Sequence, residues 1–351
     1  MNKKIRWAFL LALIILGWFG FESKSSATAP EFSVKTILTE NQRDVSVSYF
    51  DLLLDKGATE ELQIEITNSS ERELTVGLQA TTAVTNINGL IDYTIDVEEP
   101  DDSLKIDFKE ITSIKENEII IPSGESRILT ALVQLPNEQV FDGILLGGLT
   151  ISENGSSHGS TETENQITNR FVYSIAVMIA QNEETVHPDL SLKSVEVEQR
   201  NRRNFIVGNI QNRASTIVNH FDVEATIFKE GEANPLFHEE RVDMRMAPNS
   251  TLAYGVGTNN QPLFAGTYEM HMKATNGEEE WEWIESFTIT NEKAREMNNS
   301  AVELEKDNTR LYLFIAGIVI AVLFIVILVL MNREKIFRKK NNYEWERLVD
   351  E

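Results

Sequence analysis

The chain has 351 residues, no cysteine, and a formal net charge of −23. Without disulfides, its folded parts must be held by their cores alone. Residues 1–29 carry +3 and residues 332–351 carry +1, so the intervening part, whose apolar run near its end is neutral, carries −27. A field of that sign repels nucleic acid and other polyphosphates, so a role on DNA or RNA is excluded. Partners of this part should be basic, sugar-rich and neutral, or recognised through apolar contacts.

The N-terminus reads as an export signal over residues 1–27. Lys3, Lys4 and Arg6 precede a 15-residue apolar stretch, Trp7 to Phe21. Small residues at Ser25–Ala29 then offer a cleavage site. Cleavage after Ala29 would place Pro30 beside the scissile bond, and cleavage after Ala27 avoids it. The alternative is an uncleaved anchor.

From residue 30 the chain reads as strand after strand. Period-2 alternation places Val45, Val47 and Tyr49 on a strand, then Leu62, Ile64 and Ile66, then Leu74, Val76 and Leu78. Leu129, Ala131, Val133 and Leu135 follow, and then the cleanest case, Phe171 to Ile179. Further strands are predicted at Phe205–Val207, Phe221–Ile227, Val242–Met246, Tyr268–Met272, Trp281–Trp283 and Phe287–Ile289. Turn residues punctuate them at Asn88-Gly89, Pro122-Ser123-Gly124, Asp142-Gly143, Pro248-Asn249 and Asn276-Gly277. Such spacing predicts an all-β chain built of sandwiches. Two of them fit the length: a first over 30–182 and a second over 183–291. The hinge is placed at Asn182–Pro188. The polar stretch Ser152–Gln166 is then a loop of the first sandwich, and the alternative is that this stretch is the linker. No internal repeat aligns between the halves.

Residues 292–310 read as a polar stem in which Ala294, Met297, Ala301 and Leu304 have near-helical spacing. Leu311–Met331 follows, 21 uncharged residues of which sixteen are Leu, Ile, Val or Phe. A helix of that length spans a hydrocarbon core of ~30 Å. A single transmembrane helix is therefore expected at 311–331. Arg333, Lys335, Arg338, Lys339 and Lys340 mark residues 332–351 as a cytoplasmic tail by the positive-inside rule. The expected location is the cell membrane, single-pass, with the N-terminal region outside.

Candidate chemistry is sparse. Gly155-Ser156-Ser157-His158-Gly159 satisfies G-x-S-x-G but lacks the strand–turn–helix context that makes a serine nucleophilic. Val84–Ile95 has Asn86, Asn88 and Gly89 at calcium-loop positions, yet Val84 and Ile95 occupy the first and twelfth, so it reads as a tight turn. The acidic run Asp96, Glu98, Glu99, Asp101 and Asp102 reads as a solvated charge cluster, with weak calcium binding as the alternative. The five histidines, at 158, 187, 220, 238 and 271, lack zinc-ligand spacing. Trp281 and Trp283 share one strand face and are expected to point into a core, with sugar stacking as the alternative. No catalytic, cofactor or metal site follows, no partner-binding residue is assigned, and the chain is expected not to be an enzyme.

Taken in order, several short motifs resemble the WxL-interacting protein family of Gram-positive surfaces. In the first half these are Phe32-x-Val34, Asn41-Gln42, Tyr49–Leu52, Asn68, Thr85–Gly89 with Ile91 and Tyr93, Asp102-Ser103-Leu104, and Gly143 to Gly147-Gly148. In the second they are Met246–Ser250, Ala265–Tyr268, and Trp281 through Phe287–Thr290 to Ala294 and Asn298. The resemblance implies two consecutive immunoglobulin-like domains. The first would bind peptidoglycan and a WxL-domain surface protein, and the second a host matrix ligand. It implies a scaffold held in the lipid bilayer through residues 311–331. The alternatives are an adhesin, or a receptor signalling through its tail.

Overall fold

The computed structural model describes residues 30–138, 141–153, 171–302, 304 and 312–328. The predicted export signal and tail, and the G-x-S-x-G motif, lie outside the described residues.

The first half is built from two sheets facing one another. Strands β1 (Phe32–Ile37), β3 (Thr59–Asn68), β9 (Ser126–Gln134) and β7 (Thr112–Ile114) form one, in the order β1-β3-β9-β7. Strands β2 (Phe50–Leu53), β4 (Leu74–Thr82), β8 (Glu118–Ile121), β10 (Ile144–Glu153) and β11 (Val172–Ala180) form the other, in the order β2-β11-β10-β4-β8. A small hairpin, β5 (Val84–Thr85) and β6 (Ile91–Asp92), and a one-turn helix, α1 (Phe108–Ile111), complete it. The core follows from alternation: Leu62, Ile64 and Ile66 of β3 and Leu129, Ala131 and Val133 of β9 meet Leu74 and Val76 of β4 and Val177 and Ile179 of β11. Each fully buried aliphatic side chain contributes roughly 1.5–3 kcal/mol.

The second half repeats the plan. Strands β12 (Leu190–Arg200), β13 (Arg203–Asn212) and β16 (Ser250–Gly257) form a three-stranded sheet. Strands β14 (Val218–Lys229), β15 (Pro235–Met246), β17 (Gly266–Thr275) and β18 (Glu280–Ile289) form a four-stranded one, in the order β15-β14-β17-β18. Phe221, Val223, Ala225 and Ile227 of β14 pack with Met270 and Met272 of β17 and Leu252 and Tyr254 of β16. The all-β sandwich expectation holds for both halves.

The same polar device closes both sandwiches. Asn68, at the end of β3, is fully buried. Its Nδ2 donates to the Arg72 carbonyl at 2.7 Å and the Ile121 carbonyl at 2.9 Å, and its Oδ1 accepts from the Ser70 amide at 2.9 Å. Asn212, at the end of β13 and also fully buried, donates to the Thr216 carbonyl at 2.8 Å and the Ala247 carbonyl at 3.0 Å, and accepts from the Ala214 amide at 3.2 Å. Each asparagine spans a four-residue turn and reaches the carbonyl just before a proline, Pro122 or Pro248. It satisfies backbone groups that would otherwise be buried unpaired.

Several expectations are corrected. Val45 and Val47 are not in a strand: Asp44 accepts from the amide of Ser46 at 2.8 Å, which closes a turn and leaves Val45 exposed. The strand predicted at Phe205–Val207 is present as β13 and Val207 is fully buried, but Ile206 and Ile210 join the second core and Phe205 lies beneath the Arg200 guanidinium. On β15, Val242 points to solvent, because Asp243 has a positive φ of 56° and the pairing with β14 shifts register there. The expected polar stem begins instead as a docked helix, α2 (Asn291–Ser300). Thr290 caps it, accepting from the Lys293 amide at 3.1 Å, and Ala294 and Met297 are buried in the second core.

Of the run expected to span a membrane, residues 312–328 are described and are helical with exposed side chains. Residue 311 and residues 329–331 lie outside the described set. Among the described residues no helix is long and apolar enough to cross a membrane.

Gly147 and Gly148 of β10 explain a local demand of the sequence. A Cβ on Gly147 would overlap the buried ring of Phe108, and one on Gly148 would lie 2.6 Å from Cβ of Tyr93. Successive strand residues face opposite sides, so an aromatic closes over each glycine. Gly147→Ala should therefore cost about 1–3 kcal/mol through overpacking. Urea unfolding followed through the methyl NMR signals of the first core, such as those of Ile64 and Val177, checks this, and an unchanged midpoint would show that Phe108 moves aside freely.

Candidate functional site at the joint between the sandwiches

Three of the motifs that carry the family resemblance meet in space: Thr85–Gly89 and Asp102–Leu104 of the first sandwich, with the neighbouring Asp101, contact Met246–Ser250 of the second. Sequence reasoning treated the first and last of these as separate turns and missed the joint. The available signal was aliphatic residues, Ile87 and Leu90, at a turn otherwise rich in polar ones.

The joint has a fully satisfied polar centre. The amide of Ala247 donates to Oγ1 of Thr85 at 2.9 Å. Ser250 donates through Oγ to the Ala247 carbonyl at 2.8 Å, so the 2.6 Å contact between the two hydroxyls has Thr85 as donor. Thr85, Ala247 and Ser250 are all buried. Around them Ala83, Leu146 and Ala247 form a small apolar cluster, with Ile144, Met178 and Ile217 packed against it. Two backbone bonds cross the joint: the Arg245 amide to the Gly89 carbonyl at 2.8 Å, and the Ile144 amide to the Ser215 carbonyl at 2.7 Å.

A second polar cluster lies beside the first. Oδ1 of Asp101 accepts from the Ser103 amide at 3.0 Å and Gln211 at 2.7 Å, and Oδ2 accepts from Thr251 at 2.6 Å. Burial pushes the Asp101 carboxyl up, but the hydrogen bonds from Thr251, Ser103 and Gln211 outweigh it and hold it below the usual carboxylate value. Asp102 accepts from Lys193 at 2.8 Å. Asn249, in the left-handed region at φ 47°, donates to the carbonyls of Ser103 at 3.1 Å and Arg213 at 2.9 Å. Arg241 lies over the Tyr254 ring and donates to the Ile87 carbonyl at 2.9 Å and the Gly255 carbonyl at 2.7 Å.

The acidic run is thus split by role. Asp96 pairs with Lys109, Asp101 and Asp102 tie the sandwiches together, and Glu98 and Glu99 lie between them in sequence. Among the described residues no group of three or more His, Asp or Glu could hold a metal. The described histidines are apart: His187 meets Glu279, His220 meets Asp243, His238 lies beside Thr226 and His271 meets Glu269. Trp281 and Trp283 oppose the buried Ala274 and Met272 and pack on the second core, as expected of inward tryptophans. Asn86 accepts from the amides of Asn88 at 2.9 Å and Leu90 at 3.2 Å, which makes 86–90 a tight turn as read.

Comparison with known proteins decides the family. The model of the peptidoglycan binding domain of WxL Interacting Protein matches residues 32–153, and that of the host binding domain of the same protein matches 162–299. The chain belongs to the WxL Interacting Protein family. No curated protein matches it. Solved structures with remote likeness include the E. coli chaperone DraB, at 11% identity and TM-score 0.30, covering 72% of this chain and 95% of that one. Another is the Salmonella enterica SafA pilin in complex with the SafB chaperone, at 9% identity and TM-score 0.30, covering 75% and 99%. The family's host binding model begins at 162, ahead of β11, yet β11 pairs along its length with β10 and runs parallel to β2 in the first sandwich.

The low Asp101 value gives a pH dependence of known sign. Its folded carboxyl titrates below its unfolded value of about 3.9, so its contribution is present above that pH and lost as pH falls through the folded value. Asp101→Asn should lower stability at pH 7 by about 1.5–3 kcal/mol, the range for hydrogen bonds to a charged group. It should also flatten the acid limb below about pH 4. Urea titrations at pH 7 and pH 3.5 measure both, and identical acid limbs would remove Asp101 from the joint's energetics.

Proposed function

We propose that the chain is a non-enzymatic, membrane-anchored scaffold at a Gram-positive cell surface, in which two immunoglobulin-like sandwiches hold a WxL-domain protein and peptidoglycan near the membrane. The observation that carries this is the order of parts: a peptidoglycan binding model, then a host binding model, then the apolar run 311–331. Both family models are named for binding rather than catalysis, which supports the non-enzymatic reading. The export-like N-terminus and the basic residues after the run support an outside-facing, single-pass arrangement. Tethering raises effective concentration, so a modest affinity for each partner suffices. We place the boundary between the sandwiches at residues 181–189, on the pairing of β11 with β10 and β2. The host binding model at 162–299 supports a second reading, an adhesin for host matrix.

Deleting residues 311–331 should move both the chain and its WxL partner from the cell to the medium, read by immunoblot of the two fractions. A partner that stays on the cell in the deletion strain would count against the scaffold. Calorimetric titration of the full chain in lipid nanodiscs with a purified WxL domain should show saturable one-to-one binding. Binding to immobilised matrix without any to the WxL domain would move the assignment to the adhesin.

A further inference from the structure

The joint leaves an open cleft of about 510 Å³ on its surface. The first sandwich lines it with Val84, Ile87, Ile95, Val97, Pro100 and Leu104, and the second with Asn249–Thr251. Its size falls in the range of ligand pockets, and it combines an apolar lining with a few fixed polar groups, as such sites do. Ile87 is 48% exposed and Ile95 is 41% exposed, and Leu90, at the same turn as Ile87, is 52% exposed. Single exposed aliphatics are ordinary, but here Ile87 and Ile95 line the same cleft.

The turn that presents Ile87 is braced from both sandwiches. Asn86 closes it from within, accepting from the Asn88 and Leu90 amides at 2.9 and 3.2 Å. Arg241 holds the Ile87 carbonyl at 2.9 Å, and the Arg245 amide holds the Gly89 carbonyl at 2.8 Å. Gly89 has a φ of 72°, and a Cβ there would strike Met244. A turn whose only task was to reverse the chain would carry polar residues at its tip. Those four hydrogen bonds hold an isoleucine beside a cleft, so an incoming group meets a surface with little ordering entropy left to lose. The charged residues lining the cleft are Glu99 and Asp101, both acidic.

We propose that this cleft docks a protein segment carrying one bulky apolar side chain flanked by basic residues. The apolar side chain fills the space between Ile87, Ile95 and Leu104, and the flanking positive charges face Glu99 and the acidic surface of a chain whose net charge is −23. The inference goes beyond the scaffold reading by assigning a place and a chemistry to recognition. Its test uses no WxL protein, so its failure would leave that reading standing.

The test is a methyl NMR titration of the full chain, isoleucine-labelled, in phosphatidylcholine nanodiscs. The probe is the acetylated, amidated peptide Lys-Lys-Phe-Lys-Lys. Saturable shifts are expected at the Ile87 and Ile95 methyls and none at Ile128 and Ile284, which are exposed on other surfaces. Replacing the phenylalanine by serine, or the lysines by glutamate, should weaken binding at least tenfold. Ile87→Asp should abolish the Ile95 shift while leaving the urea midpoint unchanged. Absent saturation, equal shifts at Ile128 and Ile284, equal binding of the glutamate peptide, or an Ile95 shift that survives Ile87→Asp would each overturn the proposal. Shifts that follow protein concentration without peptide would overturn it in favour of a second copy of this chain.

Discussion

Ala247 is the point on which the arrangement of the two sandwiches depends. It is fully buried, so its amide and carbonyl must find partners within the protein. The amide finds Thr85 of the first sandwich, and the carbonyl finds Asn212 and Ser250 of the second. Pulling the sandwiches apart would strand that amide and the Thr85 hydroxyl, at roughly 1–3 kcal/mol each until water reached them. The same motion would expose the apolar cluster of Ala83, Leu146 and Ala247. Interfaces between domains of one chain are usually polar and mobile. A buried polar knot beside an apolar cluster makes this one specific in register as well as cohesive, because a shifted register would leave the knot half-satisfied.

The knot is an elaboration of a device each sandwich already needs. Asn68 and Asn212 do the same work at the same place, bonding a carbonyl four residues on and the carbonyl before a proline. In the first sandwich that proline turn, Pro122–Gly124, stands at the surface, where a Cβ on Gly124 would meet nothing. In the second, the matching turn is Pro248–Ser250, and the neighbouring sandwich covers it. A turn that serves only its own sandwich in one copy serves both sandwiches in the other.

Much of the architecture was legible because alternation in a sandwich is enforced by burial on one face. The runs at Leu62–Ile66, Leu129–Leu135, Phe221–Ile227 and Tyr268–Met272 could not slip by one residue without turning the core outward. The failures have local causes. Val45 and Val47 alternate but are overruled by a side-chain turn at Asp44. Val242 alternates but is displaced by a left-handed residue. The repeat between the halves was not legible, since the paired asparagine and carbonyl are separated by 53 residues in one sandwich and 35 in the other. The joint was not legible either: Thr85 and Ser250 are 165 positions apart. Neither residue carries a signal of its own. Ile87 did carry one, as an aliphatic in a polar turn.

The end of the second sandwich bears on which partner can be reached. Helix α2 is buried through Ala294 and Met297, and the Val302 amide bonds the Arg202 carbonyl at 2.9 Å, so the chain is tied to this sandwich as far as residue 302. Under the proposed anchoring the bilayer begins at residue 311. The residues between can reach at most about 30 Å even when fully extended. The part matched by the host binding model would therefore sit close to the membrane, and the part matched by the peptidoglycan binding model farther out, held there by the joint. On that arrangement a sandwich within about 30 Å of the bilayer would be poorly placed to meet a host surface directly. It is well placed to hold a secreted protein that is itself passing outward. The fixed joint would present both halves to that protein in one orientation, and this geometry favours the scaffold over the adhesin.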